Sequence, residues 1–215
     1  MPLQKMLLLK HAPTVTINPE FIDLGSQAYE DTYCRMRSLV QAKSLNDQIW
    51  LLEHSPVFTL GTAADPSHVL NPGSIPVIQT DRGGEVTFHG PGQLVIYFLL
   101  NIQLKTMGPK TLVSNLQRLI QNILQKYRIE SSFVEGAPGV YVEDKKIASI
   151  GLRISKGKSY HGLSINIDMD LKPFSLINPC GYEGLEVTQI SDFDSNVTLE
   201  DVKSVAIKEI QTIFS

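Results

Sequence analysis

The stretch from Val140 to Leu171 constrains the fold of this chain more than any other. Three strand-like segments, Val140 to Glu143, Lys146 to Ser155 and Tyr160 to Leu171, are separated by the tight turns Glu143-Asp-Lys145 and Lys156-Gly-Lys158. In the last of them Leu163, Ile165, Ile167, Met169 and Leu171 alternate with polar residues, the period of a strand with one buried face. Turns this short join only adjacent antiparallel strands, because a parallel return needs a long crossover. The meander therefore predicts a mixed α/β sheet and argues against a doubly wound one.

Other segments fill in the architecture. Leu94 to Ile102 is almost continuously apolar, as expected of a strand buried on both faces. Ile49 to Glu53, Val57 to Leu60 and Val77 to Thr80 read as further strands. The clearest helix runs from Pro109 to Tyr127, with Leu112, Leu116, Leu119, Ile120, Ile123 and Leu124 on one face. Asn18-Pro19-Glu20 reads as a helix start with proline at the first turn, carrying a stripe from Phe21 through Met36, Leu39 and Val40 to Ala42. Thr198-Leu-Glu-Asp201 resembles a capping box and opens a last helix ending near Phe214. No linker or repeat interrupts residues 1–215, which are read as one domain.

With 42% hydrophobic and 19% charged residues, the composition is that of a soluble globular protein. A net charge of −3 is too mild for a general nucleic-acid or membrane binder. The Met1 to Leu9 run reads as a first strand and not a signal peptide, and no apolar run is long enough to span a bilayer. With two cysteines and no export signal, the expected setting is the cytoplasm, with Cys34 and Cys180 as free thiols. The five histidines show no metal-ligand spacing, so no metal is expected.

Two motifs are decoys. Gly151-Leu-Arg-Ile-Ser-Lys-Gly157-Lys-Ser159 has five residues between its glycines where a phosphate-binding loop needs four, and no helix follows it. Asn196-Val-Thr198 is a glycosylation sequon without consequence in a cytosolic chain.

Three features carry chemistry. Cys180 sits in Asn178-Pro-Cys-Gly181, on a turn, where a sulfur can be presented to a substrate instead of packing in a core. By simple alternation Lys146 shares a face with Ala148, Ile150, Leu152 and Ile154, so it either snorkels to water or is placed for reaction. A cysteine and a lysine together suit thioester exchange followed by transfer to an amine. The cation favours the thiolate, and once the sulfur is acylated the lysine can take a proton from the incoming amine. Third, Asp81-Arg-Gly-Gly-Glu-Val-Thr-Phe-His-Gly-Pro-Gly-Gln93 carries four glycines, so main chain can approach a ligand closely; the alternative is a tight connection between strands.

Taken together, Arg82-Gly-Gly-Glu-Val-Thr-Phe-His-Gly-Pro-Gly-Gln93, Gly136-Ala-Pro-Gly-Val-Tyr-Val142, Lys146-Ile-Ala-Ser-Ile-Gly151, Tyr160-His-Gly-Leu-Ser-Ile-Asn166 and Asn178-Pro-Cys-Gly181 resemble the octanoyltransferases of lipoate biosynthesis. The blocks follow that family's order and span about Trp50 to Ile190. The resemblance implies the mixed sheet of the biotin and lipoate protein ligases, packed by helices, with an acyl tunnel. It matches Cys180 to the acyl-thioester cysteine and Lys146 to its activating lysine. Arg82, Gly83, Gly84, Glu85, Val86, Thr87, Phe88 and His89 match one segment lining the acyl site. Ser149, Ile150 and Gly151, and Gly162, Leu163 and Ser164, match two more. Glu85 and Phe88 stand where relatives often carry aspartate and tyrosine.

The implied donor is octanoyl-acyl carrier protein. The implied acceptors are lipoyl domains of 2-oxoacid dehydrogenases and the glycine cleavage H protein, with no cofactor, nucleic acid or membrane involved. An ATP-dependent ligase on the same fold would have no need of a nucleophilic cysteine. A non-catalytic module binding the same partners would need neither Cys180 nor Lys146.

Overall fold

The computed structural model describes residues 18–105, 107–134, 137–178 and 184–214. The first strand expected at Met1 to Leu9, and Cys180 itself, lie outside them. The meander forms as the turns dictate: β8 (Ala137–Val142), β9 (Lys145–Ser155) and β10 (Lys158–Asn166) lie side by side and antiparallel. Lys156 and Gly157 close the second turn with φ of +50° and +74°, the left-handed pair that matches the twist of adjoining strands. Beyond β10 come β6 (Gln93–Leu99), β2 (Gln48–His54) and β1 (Glu20–Gln27); on the other side, β7 (Ser132–Val134) extends β8. Among the described residues the sheet has seven strands in the order β1-β2-β6-β10-β9-β8-β7, of which only β1 runs parallel to its neighbour.

Every residue of β6 is buried, as its apolar run predicts, because both faces of the sheet are covered. On one face α2 (Pro109–Lys126) and α3 (Leu199–Phe214) set Leu116, Leu119, Ile120, Val202, Ala206 and Ile210 against Ile49, Leu94, Ile96, Phe98, Ile150 and Ile165. On the other, α1 (Tyr29–Gln41) packs Met36 and Val40 on Trp50, Leu52, Val95, Tyr97 and Leu99. A three-stranded sheet, β4 (Val77–Gln79), β3 (Val57–Leu60) and β5 (Val86–His89), has its own cluster of Phe58, Leu60, Val86 and Phe88 with Phe174 and Ile177. The capping signal at Thr198 is realised, with Asp201 N donating to Thr198 Oγ1 at 3.2 Å. No helix among the described residues is long and apolar enough to cross a membrane.

The helix expected from Asn18-Pro19-Glu20 is not there. Residues 20–27 form β1, paired in register from Glu20 with Gln48 to Gln27 with His54, and the helix starts only at Tyr29. Gly25 has a left-handed φ of +61° where the register shifts, a conformation an α-helix cannot hold. Tertiary pairing with β2 overrides the local helix signals; Met36, Leu39 and Val40 do lie on α1.

Candidate active site

Arg82 anchors the glycine-rich loop from inside. Its Nε donates to Thr59 Oγ1 at 3.1 Å, and its Nη2 donates to Thr59 O at 2.6 Å and Glu85 O at 2.7 Å. The side chain is buried, so these bonds must replace its hydration. Gly83 N donates to Leu152 O at 2.9 Å, pinning the loop across β9. Gly151 lies directly beneath: a Cβ there would stand 3.0 Å from Gly83 O and 3.2 Å from Arg82 Cδ. Glycine lets the loop and the sheet close on each other.

Between them is a cavity of about 370 Å³. It is lined by Arg82, Gly84, Glu85, Val86, Thr87 and His89 from the loop and β5, and by Lys146, Ser149, Ile150 and Gly151 from β9. Gly162, Leu163 and Ser164 of β10 complete the wall that the sequence anticipates. Gly151 faces Gly162 and Ser149 faces Ser164 across the ladder, so the floor is made of small residues. Gly83 and Phe88 are elsewhere. Gly83 acts through its amide on Leu152, and Phe88 packs in the third cluster, its ring 5.4 Å from Phe58 and 5.6 Å from Phe174.

Lys146 reaches the cavity by a route that strict alternation misses. The β8–β9 ladder pairs Tyr141 with Lys146 but Val140 with Ala148, so Ile147 is an extra residue, a β-bulge. Ile147 and Ala148 both turn into the helix-covered core, while Lys146 falls on the opposite face with Ser149 and Gly151. The expected sharing of a face with Ala148 and Ile150 is thus reversed. Lys146 is 3% exposed, with Nζ 5.6 Å from the centre of the Tyr141 ring. Gly139 makes room for it: at φ +149°, an added Cβ would lie 2.5 Å from Ala148 O and 2.6 Å from Lys146 Cε. Gly139→Ala should therefore cost about 2 kcal/mol of stability in denaturant unfolding. It should also lower activity beyond the loss of folded protein, because Lys146 is displaced.

The end of the cavity remote from Lys146 is walled by rings. His161 pairs with Leu152; after the bulge absorbs one residue, that level is about 16 Å along the sheet from Lys146 at ~3.3 Å per residue. His161 has φ +58°, which swings its ring to the same side as Tyr160, and both side chains donate to Asp81, at 3.0 and 2.5 Å. Burial pushes the Asp81 carboxyl up, but the bonds from His161 and Tyr160 outweigh it and hold the pKa well below the usual carboxylate range. His54 bonds Gln27 O through Nδ1 at 3.1 Å and accepts from Tyr97 Oη at 2.7 Å. His89 bonds Gln93 Oε1 through Nδ1 at 2.7 Å. Burial lowers the His54 pKa to about 4 and that of His89 to about 3, and it also lowers that of His161. All three rings are neutral at neutral pH, and Tyr29 and Tyr97 are kept protonated by burial. The rings give the cavity a neutral wall at this end, while Lys146 stands at the other.

Tyr29, Ala63, Val95, Tyr97 and His161 line the cavity without having been anticipated. Tyr97 and Val95 are hidden in the apolar run of β6. Tyr29 opens a helix whose start was misplaced. Only His161 carried a signal, inside the Tyr160 to Asn166 block.

The chain matches the lipoyl protein ligase A/B catalytic domain over residues 25–211. It is 52% identical over 189 residues to an octanoyltransferase of Vibrio atlanticus, covering 87% of this chain and 86% of that one. To an octanoyltransferase of Legionella pneumophila it is 47% identical over 194 residues, covering 89% and 98%. Among solved structures, lipoate-protein ligase A bound with ATP superposes with a TM-score of 0.75 at 13% identity, over 92% of this chain and 85% of that one. Biotin protein ligase from Aquifex aeolicus gives a TM-score of 0.56 at 15% identity, over 92% and 70%. The mixed sheet packed by helices is the fold these ligases share, and the chain belongs to the lipoyl protein ligase A/B catalytic-domain family.

Proposed function

We propose that the protein transfers an octanoyl group from the phosphopantetheine thioester of an acyl carrier protein to the ε-amine of a lysine on a lipoyl domain. The observation that carries this reading is the placement of Lys146, buried at one end of a cavity floored by glycine and serine, in a chain about half identical to octanoyltransferases. An aliphatic chain is stabilised there by about 0.8 kcal/mol per buried CH₂, and the neutral histidine rings add no charge to the wall it would meet.

The reaction runs in two exchanges. The Cys180 thiolate, favoured by the Lys146 cation, attacks the donor carbonyl; a new C–S bond forms, the donor C–S bond breaks, and the leaving phosphopantetheine thiolate takes the proton of Lys146, which is left neutral. The acceptor amine then attacks the Cys180 thioester. Lys146 takes the proton the nitrogen loses, an amide forms, and the cysteine sulfur is released as thiolate. No ATP is consumed, because the donor is already a thioester.

The test is to incubate the protein with octanoyl-carrier protein alone, without ATP, and measure its intact mass. One octanoyl increment is expected, mapped to the Cys180 peptide and released by neutral hydroxylamine. Cys34→Ser should label normally, since Cys34 is exposed on α1, away from the cavity lining. Cys180→Ser should lose nearly all turnover, because an alkoxide is much harder to form than a thiolate. An adduct on Cys34 would overturn the assignment of Cys180, and labelling that requires ATP would remove the reading in favour of an adenylating ligase.

A further inference from the structure

The sheet changes partners beside Lys146, and two buried amides sit at that junction. The β10–β9 ladder runs as far as Ile165 opposite Ala148. Beside Lys146 the place of β10 is taken by residues 186–188: Lys146 N donates to Glu186 O at 2.9 Å, Thr188 N donates to Lys146 O at 3.0 Å, and Lys146 pairs in parallel with Val187. On its other side Lys146 adjoins the bulge at Ile147, where the β8 ladder is interrupted. The backbone of Lys146 therefore depends heavily on the 186–188 segment for its position.

That segment is tied to the sheet by side chains. Asn166 Nδ2 donates to Thr188 O at 3.0 Å, on the same residue whose N–H bonds Lys146. Asn166 Oδ1 accepts from Gln93 Nε2 at 2.9 Å, and Gln93 Nε2 also donates to Phe88 O at 3.2 Å. Gln93 Oε1 receives the Nδ1–H of His89, whose Nε2 faces Thr59 Oγ1 at 3.4 Å, and Thr59 holds Arg82. Gln93 and Asn166 are a cross-strand pair of β6 and β10, 1% and 4% exposed. Two amides this deep cost stability unless bonded, and a fully bonded buried network favours one arrangement over its alternatives. An apolar pair would fill the space without holding Thr188.

We propose that Asn166, oriented by Gln93, is a positioning residue for Lys146: it fixes Thr188 through its carbonyl, and the Thr188 N–H in turn holds the Lys146 carbonyl and so keeps the Lys146 side chain in the cavity. This rests on the catalytic reading of Lys146 given above. The same pair joins the Arg82 loop, which covers the cavity, to the strand bearing the lysine.

The test compares Asn166→Ala, Asn166→Asp and Lys146→Ala in full octanoyl transfer, with the folded fraction measured for each. Asn166→Ala should lower kcat about 10- to 100-fold per folded molecule and change the donor KM by less than about threefold, the pattern of an interaction that aligns without binding. Asn166→Asp adds a signature that a merely structural role would not produce. As a carboxylate it can accept from Gln93 but cannot donate to Thr188 O; protonated, it can do both. Its activity relative to wild type should therefore rise severalfold as the pH is lowered from about 8 to about 6, within the range a buried carboxyl can titrate. Wild-type kcat in Asn166→Ala, a loss confined to KM or to the folded fraction, or a flat Asn166→Asp ratio across that range would overturn the inference. If Lys146→Ala is inactive while Asn166→Ala turns over normally, the positioning role alone fails. If Lys146→Ala transfers octanoyl at the wild-type rate, the catalytic reading fails with it.

Discussion

Lys146→Ala is expected to reduce octanoyl transfer by about 10²- to 10⁴-fold, the range over which a positioned proton-transfer group contributes. Two steps would suffer together. In the proposed mechanism the Lys146 ammonium favours the Cys180 thiolate, so without it iodoacetamide alkylation should slow at neutral pH and much less at high pH. The acceptor amine would also lose its base. Lys146→Arg separates the roles, because arginine keeps the positive charge but does not release a proton at any working pH. That variant should still form the octanoyl thioester and fail to pass it to a lipoyl-domain lysine. The site sets a steric condition, since the Lys146 side chain passes so close to Gly139 that a Cβ added there would stand 2.6 Å from Lys146 Cε. Donor-only labelling of Lys146→Arg tests that condition directly: if the thioester forms, the guanidinium has been accommodated. Normal transfer by Lys146→Arg would leave Lys146 as an electrostatic partner only and end the two-role mechanism.

Acid should destabilise the protein well before its carboxylates titrate. His54 and His89 ionise at about 4 and about 3 in the folded chain because burial disfavours the imidazolium. In the unfolded chain they ionise near 6.5. Below that pH the unfolded state binds protons the native state refuses, so stability is fully present above about pH 6.5 and declines as the pH falls. Each histidine costs about 1.4 kcal/mol per pH unit, so the two together remove about 4 kcal/mol by pH 5, a large share of an ordinary domain's stability. The loss continues until the pH passes the native values, first for His54 and then for His89. Asp81, whose pKa is depressed, acts in a separate and lower window, below the ordinary carboxylate range. Urea unfolding between about pH 7.5 and 5 should show this slope, and His89→Asn should reduce it by about 1.4 kcal/mol per unit. An unchanged slope in that variant would mean that His89 is not held neutral in the folded chain.

The parts of this protein legible in its sequence are those set by near neighbours. The hairpin turns at Glu143 and Lys156, the helical stripe of α2 and the capping pair Thr198 and Asp201 each depend on residues a few positions apart, and each forms where expected. The glycine-rich segment was legible as a loop, and the fold sets it between β4 and β5 against the cavity. Features that depend on distant partners were not. β1 exists because β2 pairs with it, and nothing within Phe21 to Gln27 announces that partner. The bulge at Ile147 moves Lys146 from the core face to the cavity face, yet an extra isoleucine in a strand of isoleucines has no signature of its own. The left-handed backbone of His161, the ring wall formed by Tyr29, Tyr97 and His89, and the Gln93–Asn166 junction all require elements separated along the chain to meet. Residue chemistry determined what the side chains can do; tertiary pairing, which alone sets the register and face of each strand, decided which of them face the cavity.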